Sequence, residues 1–307
     1  MIVLGIDIGG TKTAAGLVAD DGSLRARVEA PTPAQAGPAA VIEQADQLAR
    51  TLLRGADGSV DGIGVGAAGV IDPGSGRVTA ATDLIRGWAG TDLRGALQHR
   101  LRLPVTVLND VHAHAVAEAH VGAGAGAPRM LLLGLGTGIG GALTRDGEVE
   151  VGSHGVAGHL GHLPSAQAIG ESCSCGQTGH LEAVASGPAI LRRHRRAARD
   201  PRVPDTRAVF ARAAAGDPIA AAVTGTASTA IGEAIGGLVN ACDPDRVVLS
   251  GGLAFASTAW FGQICAAARS TLLPQLEECP VVLSPLRGDA AIIGAALHHR
   301  RRGADNQ

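Results

Sequence analysis

The chain has 307 residues, 26 basic and 28 acidic side chains, a formal net charge of -2 and 46 % apolar residues. This near-neutral balance excludes a nucleic-acid binder that works by bulk electrostatics, and Tyr 0, Phe 3 and Trp 2 leave little stacking surface. At roughly 100 to 200 residues per domain the length suits one large or two medium domains with real cores.

The N-terminal run Met1 to Asp7 has no basic leader and no cleavage-site pattern, so it reads as a cytoplasmic start. Residues 2 to 8 are an apolar run ending in acid. Gly9-Gly10-Thr11-Lys12-Thr13 then turns the chain into Ala14 to Ala19, which Asp21-Gly22 closes as a glycine-tipped β-hairpin. Lys12 is the only lysine among the 26 basic residues, which suggests a compact ammonium kept where a guanidinium would not fit. Residues 38 to 54, Val60 to Val65, Thr91 to Arg102 and Val105 to Leu108 read as helix, strand, helix and strand, and Asp110 to His120 as a helix.

The hairpin pattern recurs at Met130 to Leu135, Gly136 to Gly141, Ala142 to Thr144 and Asp146-Gly147, which reads as an internal duplication. Met130 to Leu143 is the longest uncharged apolar stretch near the middle. It falls short of the roughly 18 residues a bilayer span needs, so no membrane association is expected. A loop segment with His and Cys follows over 152 to 182, then a mostly helical stretch to 240, with Leu191 to Arg199 as a solvated basic face. The strand Arg246 to Leu249, a helix from Ala254, a strand near Val281 and a helix from Asp289 to Arg301 complete the order. Two α/β halves, each opening on a glycine hairpin, are the implied architecture.

Gly136 to Gly141 and Gly64 to Gly69 both match G-x-G-x-x-G. A Rossmann turn, however, needs a helix directly after the glycines, and Ala142 to Val151 has strand-like alternation. Two hairpin tips whose amides and threonine hydroxyls suit phosphate oxygens remain. Five cysteines, with only Cys173 and Cys175 close together, do not form a secreted disulfide framework. Cys173, Cys175, His180 and His162 offer two thiolates and two imidazoles, a donor set suited to tetrahedral structural Zn2+. Asp110 follows an apolar strand and opens a helix, where a carboxylate serves as a general base or as a helix cap.

Asp7-Ile8-Gly9-Gly10-Thr11-Lys12, Asn109-Asp110, Leu135 to Gly141, Gly158 to His162 and Cys173-Ser174-Cys175-Gly176-Gln177-Thr178-Gly179-His180-Leu181-Glu182, in this order, resemble the ROK sugar kinases. The resemblance covers essentially the whole chain. It implies a duplicated, ribonuclease H-like α/β fold of the actin-like ATPase class, with two domains around a cleft. Residues 1–121 would form the first, with helix 289–303 packing back on it, and residues 122–288 the second, carrying the zinc loop. It further implies ATP with Mg2+ as donor, a hexose acceptor phosphorylated at its 6-hydroxyl, and a homodimer or homotetramer.

On that resemblance Asp110 is the base, and Asn109, His162 and Glu182 bind the sugar. Asp7 lies near Mg2+ and the phosphates, Gly9, Gly10, Thr11, Lys12, Gly136, Thr137 and Gly138 line the phosphate chain, and Gly251-Gly252 face adenosine. Two positions depart from the family pattern. His180 stands where the family usually has Cys, which preserves a metal ligand. His159 stands where the family's glucokinases carry Glu, which exchanges an acceptor of two hydroxyls for an imidazole with one acceptor and one donor. The sugar is therefore glucose or an N-acetyl-hexosamine, such as N-acetylmannosamine or N-acetylglucosamine. The family's repressors carry an N-terminal helix-turn-helix, for which a chain opening on its first strand leaves no room. A non-catalytic sugar sensor is the alternative, disfavoured by the retention of Asp110, Lys12 and both hairpins.

Overall fold

The computed structural model of the chain describes residues 1–56 and 58–304. It begins with β1 (Ile2–Ile8), β2 (Lys12–Ala19), β3 (Leu24–Pro31), α1 (Pro38–Arg54), β4 (Val60–Ala67), β5 (Val70–Ile71), β6 (Val78–Ala80), α2 (Leu93–Leu101), β7 (Val105–Asn109) and α3 (Asp110–Val121). There follow β8 (Arg129–Leu135), β9 (Ile139–Arg145), β10 (Glu148–Val149), α4 (Glu182–Ala185), α5 (Gly187–Ala198), α6 (Thr206–Ala214), α7 (Pro218–Cys242), β11 (Arg246–Ser250), α8 (Thr258–Arg269), β12 (Val281–Leu283) and α9 (Ala290–Ala304).

The larger sheets have orders β3-β2-β1-β4-β7 and β10-β9-β8-β11-β12, so the repeat seen in the two hairpins extends to whole sheets. In the first, β1 runs antiparallel to β2 and parallel to β4, and β4 runs parallel to β7. In the second, β11 runs parallel to both β8 and β12. Two compact units result. One comprises residues 1–126, 142–157 and the chain from Gly288, and the other residues 127–141 and 158–287.

In the first unit, buried Leu4, Ile6, Ile8, Leu17, Ile63 and Val65 pack with α1 residues Val41, Ala45 and Ala49 and with Trp88, whose indole N–H donates to Ala68 O at 2.9 Å. The α1 pattern places apolar residues at helical spacing, with Pro38 in its first turn, where a missing N–H costs nothing. Helix α9 lies on the other face of this sheet, so close that a methyl group at Gly64 would collide with the Ala295 carbonyl. In the second unit, Met130 to Leu133 and Val247 to Leu249 are buried, and α7 packs on α8 through Ile231, Ile235 and Ile264. Trp260 closes that contact by donating to Thr224 O at 2.8 Å.

Strand β3 is absent from the sequence expectations, although Leu24, Ala26, Val28 and Ala30 alternate with charged residues as an edge strand should. The helix expected from Ala254 starts at Thr258. Gly251 turns the chain with φ of 84°, and Ser257 caps the helix by accepting from Trp260 N at 3.0 Å. Among the described residues no helix is long and apolar enough to cross a membrane.

Candidate functional site

In the first unit the parallel strands β1, β4 and β7 end at one edge of the sheet, the edge at which open α/β sheets receive ligands. Register places Asp7 beside Gly66, and Ala67 beside Asn109. Asn109 is the N-cap of α3: its Oδ1 accepts from Val111 N at 2.9 Å and from His112 N at 3.2 Å. Its Nδ2 donates to Gly69 O at 3.0 Å and to Asp110 Oδ1 at 2.9 Å. Asp110 Oδ1 also accepts from Val111 N at 2.9 Å. Asp110 is thus the first residue of the helix, and capping falls to its neighbour.

Burial pushes the partly enclosed Asp7 carboxyl from its ordinary 3.8 up to about 7, with the Asp110 charge adding to the rise and Lys12 and Arg27 opposing it. Two carboxylates sharing a strand-end site in this way are suited to a divalent cation, since the cation relieves their repulsion. The native state holds the Asp7 proton more tightly than the unfolded chain, so native stability is lost as pH rises from about 4 to about 7. Asp7→Asn is expected to show a stability advantage over the parent that grows across that window and levels off above it. Urea melts at several pH values check this, and a constant difference at every pH would contradict it.

Gly9, Gly10 and Thr11 form the first hairpin tip. Gly9 N donates to Lys12 O at 3.0 Å, Thr32 Oγ1 donates to Gly9 O at 2.7 Å, and Thr32 N donates to Thr11 O at 3.0 Å. Lys12 is half exposed, and its ammonium pairs with Glu29 of β3 at 3.1 Å. Arg27, which the sequence did not single out, bonds Asp289 at 2.8 Å and also pairs with Glu29.

In the second unit the tip Gly136-Thr137-Gly138 is closed by Gly136 N donating to Gly138 O at 3.0 Å, and Thr137 is exposed. Strand β9 follows directly, so no Rossmann helix exists here. Gly251 lies against the end of β8 at Leu135, and Leu253 N donates to Leu135 O at 3.0 Å. The structure thereby brings together the two glycine segments assigned to nucleotide.

One ligand atom from each of His162, Cys173, Cys175 and His180 lies within 4.8 Å of all the others. His162 Nδ1 is 3.6 Å from Cys173 Sγ, and His180 Nδ1 is 3.3 Å from Cys175 Sγ. Burial pushes the Cys173 thiol up and the His162 imidazole down, although Glu182 pulls the imidazole the other way. Two sulfurs and two imidazole nitrogens gathered to one point fit a tetrahedral Zn2+. Residues 152–181 contain no regular element beyond 3-10 turns at Leu160–His162 and Ala166–Ala168. His159 precedes the first of these and stacks on His162 with ring centroids 6.3 Å apart. Glu182 Oε2 accepts from Ile139 N at 2.8 Å, and Glu182 Oε1 accepts from Ser174 Oγ at 2.6 Å. Neither Ser174 nor Ile139 carries a sequence signal that announces this role.

A duplicated five-stranded sheet, each copy opening on a glycine-tipped hairpin, with an acidic pair at the strand ends of the first, defines an actin-like ATPase fold of the sugar kinase class. Residues 3–302 match the ROK family, and the chain belongs to it. It is 32% identical over 308 residues to a glucokinase of Thermotoga maritima, covering 96% of each chain. It is 33% identical to an N-acetylmannosamine kinase of Citrobacter koseri, covering 97% of this chain and 98% of that one. Among solved structures, a ROK hexokinase from Thermus thermophilus superposes with a TM-score of 0.90 at 36% identity, over 99% of this chain and 100% of that one. A ROK family glucokinase from Streptomyces griseus, in complex with glucose and AMPPNP, superposes with a TM-score of 0.84 at 28% identity, over 98% and 100%. The chain is a sugar kinase.

Proposed function

We propose that this kinase transfers the γ-phosphoryl group of ATP to the 6-hydroxyl of a hexose, either glucose or an N-acetyl-hexosamine. The observation that carries the reading is the Asn109-Asp110 arrangement at the end of β7. There one carboxylate oxygen is held by Asn109 Nδ2 and Val111 N, which fixes the plane of the group that must meet the hydroxyl. Phosphoryl transfer asks mainly for positioning and charge stabilisation, with one base for the attacking oxygen. Asp110 takes the hydroxyl proton as that oxygen bonds to the γ-phosphorus and the bond to the β-phosphate oxygen breaks, with ADP leaving. Asn109 orients this base and the sugar.

Still in the first unit, Asp7 is the group we assign to Mg2+, which when bound would neutralise phosphate charge, and Gly9 to Lys12 are assigned to phosphate oxygens. In the second unit, Gly136 to Gly138 are assigned to phosphates and Gly251-Gly252 to the adenosine side. His159, His162 and Glu182 are assigned to the sugar, and His162, Cys173, Cys175 and His180 to a structural Zn2+ that holds the loop and takes no part in the transfer. An ADP-release assay with ATP and Mg2+ over a panel of hexoses tests the reading. Absence of release with every hexose would overturn it.

Relatives of nearly equal identity carry both sugar names, and His159 is the position assigned to the sugar at which the resemblance to the family's glucokinases would have Glu. A carboxylate accepts from two hydroxyls, whereas an imidazole has one donor and one acceptor, which suits an acetamido group and its neighbour. A polar group left unpaired costs about 1 to 3 kcal/mol. His159→Glu is expected to raise kcat/KM for glucose relative to N-acetylmannosamine or N-acetylglucosamine by roughly ten-fold, equivalent to about 1.4 kcal/mol. Equal changes for all three sugars would show that His159 only supports the loop.

A further inference from the structure

The carboxylate of Glu182 ties the β8–β9 hairpin, distant in sequence, to the cysteine-containing loop just before its own helix. Its Oε2 accepts from Ile139 N at 2.8 Å, at the tip of the β8–β9 hairpin. Its Oε1 accepts from Ser174 Oγ at 2.6 Å, between the two clustered cysteines. Gly138 and Gly161 make room for it: an added Cβ would lie 2.8 Å and 3.2 Å, respectively, from Oε2. The backbone on the hairpin side and on the His159–His162 side therefore closes around one oxygen, and a single serine hydroxyl fixes the other.

This arrangement has a consequence for recognition. A carboxylate oxygen has two acceptor directions, and here one direction on each oxygen is already used. The group cannot rotate about its last torsion without giving up one of the two bonds. One acceptor direction remains on each oxygen for a donor such as a sugar hydroxyl. A glutamate held at one oxygen alone would sample many orientations and would not keep those directions fixed. Preorganised hydrogen-bonding groups of this kind gain affinity because the ordering cost is met during folding.

We propose that Ser174 is a positioning residue for the sugar: with Ile139 N–H it clamps the Glu182 carboxylate so that both oxygens face neighbouring sugar hydroxyls. The inference rests on the assignment of Glu182 to the hexose, and it adds a residue which acts through that carboxylate and not on the reacting atoms. Ser174 is exposed, so its replacement leaves the buried core untouched. Its backbone lies between Cys173 and Cys175, so the loop geometry set at the metal cluster passes directly to Glu182.

The test compares the full chain with Ser174→Ala and Ser174→Thr, using calorimetric Kd for glucose and N-acetylmannosamine, KM and kcat, and zinc per chain. Ser174→Ala is expected to raise Kd and KM for the preferred sugar about five- to ten-fold and to change KM more than kcat, with zinc retained. Threonine, which keeps the hydroxyl, should restore most of the affinity. The penalty should shrink for one member of a deoxyglucose series, the analogue that lacks one of the two hydroxyls. Unchanged or tighter binding by Ser174→Ala overturns the proposal, as does an equal penalty for the parent sugar and every deoxy analogue. Sugar binding without any phosphorylation removes the kinase reading, while the Kd comparison still decides the clamp. A parent chain that binds no hexose removes both.

Discussion

Asp110→Asn is expected to lower kcat by about a hundred- to ten-thousand-fold, the range over which a positioned general base contributes. The substitution keeps the size of the side chain and an oxygen able to accept from Val111 N and Asn109 Nδ2, the two donors that hold Asp110 now. It removes the ability to take a proton from the attacking hydroxyl. Sugar affinity should fall only modestly, because Asn109 still caps α3 and keeps the strand end in place. Steady-state turnover together with calorimetric sugar binding separates the two effects. Near-normal turnover in Asp110→Asn would show that the base lies elsewhere.

Metal analysis of purified protein should find about one zinc per chain, and Cys175→Ser should lose that zinc together with roughly ten-fold or more in sugar affinity. The segment around the cluster is held by isolated bridges, Pro164 with His180 and Ser172 with Thr178, by the ion pairs of Glu171 with Arg193 and Arg196, and by few buried apolar side chains. A bound metal would add to that order at the cluster itself, since metal-binding energy is folding energy in such loops. His162 and Glu182 both depend on that order for their orientation. Fully active protein without zinc would refute the assignment, and Cys242→Ser, away from the cluster, serves as the control.

What the sequence made legible follows from the range of each interaction. The hairpin tips, α1 and the start of α3 depend on neighbouring residues, so glycines, Pro38 and the Asn109-Asp110 pair announce them. The cluster is legible for another reason: thiols and imidazoles at that spacing have few other uses. Strand β3 carries a clear alternation from Leu24 to Ala30, yet its place beside β2 depends on a register that no local pattern encodes. The contact of Glu182 with Ile139, across 43 residues, is harder still, because a single glutamate and a backbone amide have no signature. The raised pKa of Asp7 likewise arises from enclosure and from Asp110, and neither is visible in a heptapeptide. In this chain the sequence nominates the residue types of the candidate site, and the ties that aim them it does not show.

The close seating of α9 on β1 and β4 bears on the order in which the chain can fold during synthesis. The strands of the first sheet are made early, but the helix that covers one of their faces is translated only after residues 158–287 of the second unit. The nascent first sheet must therefore wait with an uncovered face, narrow and glycine-lined at Gly64, which only a closely approaching helix can fill. Stop codons that remove α9 should yield chains that bind chaperones and aggregate.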